Sequence, residues 1–298
     1  MDHVTEQKKK RSSRTFDWVL IAAFSILALI TLYPFYNVLI VSLSNTISVA
    51  QHTPYLLPYV FDLTGYRTIL GDGQFVNSLT VSVFVTVVGT AINMFLSVTG
   101  AYVLSKKELI GRNVLLTIIL FTMLFSGGLV PTYLVVKNFG LVNSVWAMIL
   151  PTAINSFNLI VMKNYFMTLP ESLLEAAKLD GANEWTILWK VVLPISKPFI
   201  ATFTLFYCVD RWNEWYNALL YINKAELAPL QIYLRQILIS LNSQLSVQAQ
   251  QMISSTQKVS TSAVQMAAII VTALPIICAY PFLQKYFVKG VMIGGIKE

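Results

Sequence analysis

"FVNSLTVSVFVTVVGTAINMFLSVTGAYVL", residues 75–104, runs for thirty residues without an Asp, Glu, Lys or Arg. Roughly 20 apolar residues in a helix cross the hydrocarbon core of a bilayer, so this stretch is long enough to span one. Five others share its character, at 18–43, 113–136, 141–162, 198–222 and 263–288. Several hold internal prolines (Pro34, Pro131, Pro151, Pro275, Pro281). Neighbouring helices can satisfy the backbone groups a proline frees, so these residues kink a span without excluding it.

Composition agrees. The 298 residues are 56% hydrophobic and 12% charged, about half the charged share of a typical soluble domain. That leaves too little charge to solvate a globular surface, and lipid must cover much of the exterior. The chain reads as an all-α polytopic membrane protein, one transmembrane domain over 1–298 with six transmembrane helices. The net charge of +7 could suggest nucleic acid, but Lys8, Lys9, Lys10, Arg11 and Arg14 cluster just before the first apolar run. That pattern marks 1–16 as a cytoplasmic anchor and argues against a nucleic-acid partner. The first run is too long for a signal peptide and is expected to be retained.

Orientation follows from the basic residues. With the N-terminus in the cytoplasm, fifteen Lys and Arg fall in inner segments and five in outer ones, Arg211 lying within a span. Both termini are therefore expected inside. The outer loops at 44–74 and 223–262 read as solvated linkers or as surfaces for an extracellular partner.

One cytoplasmic segment, 163–197, is too long for a minimal helix connection. Pro170 and Glu171 suit a first helical turn, and Gly181 suits a C-cap with positive φ. Asn183 suits a second N-cap, and Pro194 is expected to stop the second helix. Small residues at Ala176, Ala177 and Ala182 allow a close approach, while Trp185, Leu188 and Trp189 can pack beneath. Spacing alone leaves open a hairpin that docks a partner or an amphipathic helix lying on headgroups.

The segment "EAAKLDGANEWTILWKVVLPISKP" resembles the signature of ABC-importer permeases. Its fixed positions are here Glu175, Ala176, Ala177, Gly181, Leu193 and Pro194, with Val191 where isoleucine is common. The form Asp180-Gly181-Ala182 is similar to the carbohydrate branch, the maltose-type second permeases. "SGGLVPTYLVVKNFGLVNSVWAMILP", "RWNEWYNALLYI" and the tail "YPFLQKYFVKGVMIGGIKE" resemble its Gram-positive oligosaccharide subgroup. The resemblance implies a type I importer permease fold in a bacterial plasma membrane, with 163–197 forming a coupling-helix hairpin. It implies Glu175 as an anchoring acid, Ala176 and Ala177 as a seat, and Gly181 as the turn against an ATPase. It further implies a second permease, two ATPase subunits, an extracellular solute-binding lipoprotein and an oligosaccharide substrate. No GxxxxGK[ST] phosphate loop occurs in the chain, so ATP and magnesium belong on another polypeptide.

Ionisable residues inside a span attract functional attention. Helical spacing places Arg211 and Asp210 within reach of Glu214, as an ion pair between helices or part of a polar pathway. Trp212, Asn213, Trp215, Tyr216 and Asn217 could extend that pathway, or Trp212, Trp215 and Tyr216, expected on one face, could form an interfacial aromatic belt. Asn155, Ser156 and Asn158 could line it or join helices. Cys208 and Cys278 lie in apolar runs and form no disulfide framework. No catalytic, metal or cofactor set is evident, and neither His3 nor His52 lies in a span. A proton-coupled transporter or an intramembrane hydrolase using Asp210 and Glu214 are the alternative readings.

Overall fold

The structure, a computed structural model, describes residues 14–44, 57, 60–248 and 262–278. The basic residues Lys8 to Arg11, most of the first outer loop, 249–261 of the second and the tail from 279 lie outside the described residues. Contacts group the chain into two units, Met1–Ile69 with Gln251–Ile270 and Leu70–Gln250 with Val271–Glu298.

In the first unit, α1 (Arg14–Ser42) is an apolar helix, exposed from Phe16 to Tyr36 and buried only at its end, at Ile40, Val41 and Ser42. It ends where Asp62 N donates to Leu43 O at 2.9 Å and Ser44 bridges Phe61. Helix α2 (Thr64–Leu70) comes next, opened by Asp62, whose Oδ1 accepts from Thr64 N at 2.8 Å. The Ser42 and Tyr66 hydroxyls meet at 2.7 Å.

The second unit is organised by α3 (Gly73–Ser105), whose pattern inverts that of a soluble helix. It buries small and polar residues, among them Ser78, Ser82, Thr86, Gly89, Asn93, Ser97 and Ala101. Val76, Val83, Phe84, Val87, Phe95 and Val103 are exposed. In lipid the large apolar side chains gain nothing by facing inward, whereas small residues let backbones approach closely. Helices α7 (Ser156–Phe166) and α10 (Lys197–Trp212) pack on this face. A core of Val98, Ala101, Tyr102, Leu159, Met162, Phe166, Ile187, Leu188, Val192 and Phe203 fills the space between. Ser97 Oγ meets the Tyr207 hydroxyl at 2.7 Å inside it.

Between these elements several expected spans break. The run at 113–136 becomes α4 (Arg112–Leu124) and α5 (Leu129–Asn138), bent by 117°. The run at 141–162 becomes a short α6 (Trp146–Ile149), a 3-10 turn (Leu150–Thr152) and α7, which Asn155 caps by accepting from Asn158 N at 3.0 Å. The segment 163–197 holds α8 (Glu171–Leu179) and α9 (Glu184–Ile195), the latter containing a π-helical turn over Leu188–Val192. A 90° bend at Ser196 leads into α10, and α11 (Tyr216–Tyr221) is separated from it by Asn213 to Trp215. Among the described residues two helices are individually long and apolar enough to span a bilayer, or up to four if each bent pair is one span.

The segment 223–262 is helical over most of its described residues. It forms α12 (Leu230–Gln248), and its start is tied to α3. Gln74 and Asn77 donate to the carbonyls of Ala225 and Glu226 at 2.6 and 2.5 Å. Leu230 N donates to Ser82 Oγ at 2.7 Å, and Tyr233 OH to Asp72 Oδ2 at 2.7 Å. A final apolar helix, α13, covers Ser262–Cys278.

Ser82→Ala should cost about 1–3 kcal/mol, because it strands the buried Leu230 amide. Thermal unfolding in detergent should show a lower Tm for this variant, and no change for Thr80→Ala on the exposed face of the same helix.

Candidate functional site

Two constellations stand out, one at the hairpin formed by α8 and α9 and one around Arg211.

The elbow between α8 and α9 is built by local rules. Gly181 has φ +78°, a conformation that costs glycine nothing. Gly181 N donates to Lys178 O and Ala182 N to Ala177 O, each at 3.0 Å. This pair of bonds is the glycine C-cap that satisfies a helix's last carbonyls. Asn183 Oδ1 then accepts from Thr186 N at 2.8 Å and opens α9, as the sequence indicated. Pro194 does not stop α9; it sits in its last turn, where a proline within the first two positions of the segment Leu193–Ile195 fits.

Side-chain placement departs from expectation in part. Leu188 is buried with Ile187 and Val192, but Trp185 and Trp189 are more than half exposed. Glu175, Ala176 and Asp180 are exposed; Ala177, Ala182 and Leu193 are partly buried against the core; Pro194 is exposed. Leu179, one turn after Ala176, is 89% exposed, which makes it an apolar knob on the free face of α8. Glu175 lines a cleft of about 170 Å³ with Lys106, Lys107, Glu171 and Lys178.

Glu184 is a member that sequence reasoning missed. Its Oε2 accepts from the Tyr102 hydroxyl and lies 3.1 Å from Lys106 Nζ, while its Oε1 lies 3.3 Å from Lys178 Nζ. Lys106 also stands 4.4 Å over the Tyr102 ring. Partial burial works to raise the Glu184 carboxyl, but the Tyr102 hydrogen bond and the two ammonium groups outweigh it and hold the group below its ordinary range. Nearby, Arg112 Nε donates to Leu104 O at 2.8 Å and so closes the C-terminal end of α3.

The second constellation forms where α6 ends inside the helix bundle. Arg211 is 4% exposed, and its guanidinium fans onto five acceptors. Nη1 donates to Met148 O at 2.6 Å and Thr152 Oγ1 at 2.9 Å. Nη2 donates to Asn93 Oδ1 at 2.9 Å, Ile149 O at 3.2 Å and Thr152 O at 2.7 Å. The three backbone acceptors, Met148 O, Ile149 O and Thr152 O, are the carbonyls that a helix end leaves without partners. A Cβ on Gly89 would sit 2.9 Å from Arg211 Cδ, so only glycine lets the arginine stem pass α3.

The expected Arg211–Glu214 pair exists, but at 3.9 Å it is the looser contact. Glu214 accepts from Asn217 N and Nδ2, both at 2.9 Å, and thereby starts α11. A pocket of about 230 Å³ is lined by Asn93, Thr152, Asn155, Tyr207, Asp210, Arg211 and Glu214. Asn155, Asp210 and Glu214 were expected there; Asn93, Thr152 and Tyr207 were not. Asn158 is buried elsewhere on α7, and Asn213 donates to Val209 O at 3.0 Å as the C-cap of α10. The expected single face of Trp212, Trp215 and Tyr216 does not form. Trp212 is buried at the end of α10, while Trp215 ends the break and Tyr216 opens α11, the two meeting edge to face and exposed. No group of three or more His, Cys, Asp or Glu suited to a metal occurs among the described residues.

The family model for binding-protein-dependent transport system inner membrane components matches residues 15–293. The chain belongs to that family. It is a membrane-embedded permease, a transport component rather than an enzyme. It is 46% identical to the polygalacturonan/rhamnogalacturonan transport system permease protein YtcP of Bacillus subtilis (strain 168), over 96% of this chain and 99% of that protein. It is 42% identical to Protein LplC of the same strain over the full length of both. Among solved structures, a chain of a bacterial ABC transporter involved in the import of the acidic polysaccharide alginate superposes with a TM-score of 0.84. That chain is 37% identical, and the match covers 93% of this permease and 98% of its counterpart.

Arg211→Lys should cost about 3–5 kcal/mol, since one ammonium cannot serve a fan of acceptors and a broken buried network is strongly destabilising. The readout is the yield of monodisperse permease extracted in detergent; Asp210→Asn, on an exposed carboxyl, should extract normally. For Glu184 the folded pKa lies below the unfolded one, so its contribution is full above the ordinary carboxylate value of 4.5 and is lost as pH falls through the depressed one. Wild type and Glu184→Gln should differ by about 0.5–1 kcal/mol at neutral pH. Unfolding curves recorded on acidification should show the two converging.

Proposed function

We propose that this permease imports an oligosaccharide and that the hairpin of α8 and α9 is its coupling element, seated on a separate ATPase subunit in the cytoplasm. The observation that carries the reading is the free face of α8. Ala176 and Leu179 are exposed beside Glu175, on a nine-residue helix that buries no side chain of its own. A small residue flanked by an apolar knob and an acid suits a groove in a partner, and the Gly181 cap fixes the direction from which it enters.

In this reading the chain crosses the membrane six times with both termini inside, α4 and α5 together counting as one span and α9 lying outside the span that α10 begins. A second permease completes the pathway, two ATPase subunits supply ATP hydrolysis, and an extracellular binding lipoprotein delivers the sugar. Asn155 and Asp210, in the pocket beside Arg211, are candidates to bond sugar hydroxyls, with Glu214 and Asn93 behind them. Asn158, Trp212, Asn213 and Tyr216 are not, because each is buried away from that pocket, engaged as a cap or separated by the helix break. YtcP is named for polygalacturonan and rhamnogalacturonan, and the matched transporter for alginate. Oligosaccharides containing uronic acids are therefore the first class to test.

Proteoliposomes holding the permease with its partner permease, ATPase and binding protein should accumulate labelled oligogalacturonides only when ATP is supplied. Uptake without ATP would refute the importer assignment. In the same system Gly181→Val, forcing a β-branched residue to positive φ at roughly 1–2 kcal/mol, should lower sugar moved per ATP while the protein stays in the membrane. Normal transport by that variant would overturn the role given to the elbow.

A further inference from the structure

We propose that Glu184 is a positioning residue for coupling: its carboxylate sets the angle of α8 by bridging that helix to the end of α3. The inference rests on the reading of α8 as the ATPase-docking helix and adds the residue through which its position reaches the membrane-embedded bundle.

The two helices of the hairpin are held differently. Ile187, Leu188 and Val192 of α9 are buried in the core. By contrast α8 buries no side chain and touches that core only through the partly buried Leu174 and Ala177. Packing thus fixes α9 directly, whereas α8 is placed by its Gly181 cap and by polar tethers. Two ion pairs tether α8. The pair between Lys107 and Glu171 has both side chains more than 70% exposed, and contacts of that kind contribute little.

The other pair spans the elbow itself, from Lys178 on α8 to Glu184 on α9. Its carboxylate uses its remaining oxygen for Tyr102 and Lys106, both at the cytoplasmic end of α3. One planar group therefore joins three elements, with each oxygen committed to a different one. A displacement of α8 by a docked partner cannot occur without moving Lys178, and Lys178 pulls on the group that holds α3. Farther along, α3 carries Asn93, which bonds Arg211.

The test uses the complete reconstituted transporter and reads sugar moved per ATP hydrolysed, together with ATPase copurification. Glu184→Gln keeps an acceptor for Tyr102 and loses both ion pairs. It should lower the transport-to-ATP ratio by about three- to tenfold, the scale of one or two partly screened ion pairs, while the ATPase still copurifies. Glu184→Asp keeps the charge and should restore most of the ratio. Lys178→Met, on an exposed helix whose folding does not depend on it, should lower the ratio as Glu184→Gln does; Lys107→Met should not. A wild-type ratio in Glu184→Gln or Lys178→Met overturns the proposal.

A second readout needs no ATPase. Spin labels at Ser172→Cys and Val103→Cys, with Cys208 and Cys278 replaced, should give a distance distribution that broadens in Glu184→Gln. An unchanged distribution also overturns it. Failure of the docking reading shows separately, as absence of a crosslink from Ala176→Cys to the ATPase, whatever the spin-label result.

Discussion

A helix that stops inside an apolar bundle leaves carbonyls without backbone partners, and here the Arg211 guanidinium meets them. Unpaired peptide groups in a low-dielectric interior cost several kcal/mol each. A charged side chain there is equally costly alone. Placing the one against the other removes both costs. The broken helix from Trp146 to Thr152 can end where it does because α10 supplies Arg211, α3 supplies Asn93 as a further acceptor, and Gly89 leaves room for the stem. Three elements far apart in sequence are fixed by one side chain.

The rest of the larger unit is arranged along α3. At its N-terminal end, Gln74, Asn77 and Ser82 hold the segment that leads into α12. At its middle, Asn93 and Ser97 meet Arg211 and Tyr207. At its C-terminal end, Tyr102 and Lys106 meet Glu184. Each contact uses a small or polar residue on the face that a soluble helix would fill with leucine. In lipid those residues are what the helix has to hide, and they give α3 polar attachments along its whole length.

How far the sequence revealed this depended on the range of each interaction. The elbow was legible almost atom by atom, because a glycine cap and an Asn N-cap are settled by residues within one turn of each other. The apolar runs were legible as runs. Their breaks were not, since hydropathy records composition and is blind to a 117° bend between two apolar helices. Arg211 drew attention as a charge in a span, but periodicity offered only Glu214 as a partner. Its main acceptors lie 59 to 118 residues away. Glu184 was overlooked for the same reason, since Tyr102 is 82 residues distant. Of Trp185, Leu188 and Trp189, all expected beneath the hairpin, only Leu188 is there, with Ile187 and Val192 beside it.

The π-helical turn at Leu188–Val192 bears on the length of this segment. A π turn accommodates one residue more than an α turn across the same rise. Removing a single residue there would relax the stretch to ordinary α geometry with little change in the register of its two sides, whereas removing one from the α-helical turns beside it would rotate them by about 100°. Only the second change would swing the Glu184 carboxylate off Tyr102 and Lys106 while Leu193 and Pro194 stayed seated. Spacing between the alanine pair and the distal proline is therefore a mechanical dimension of the part, one that matching residue types would not preserve.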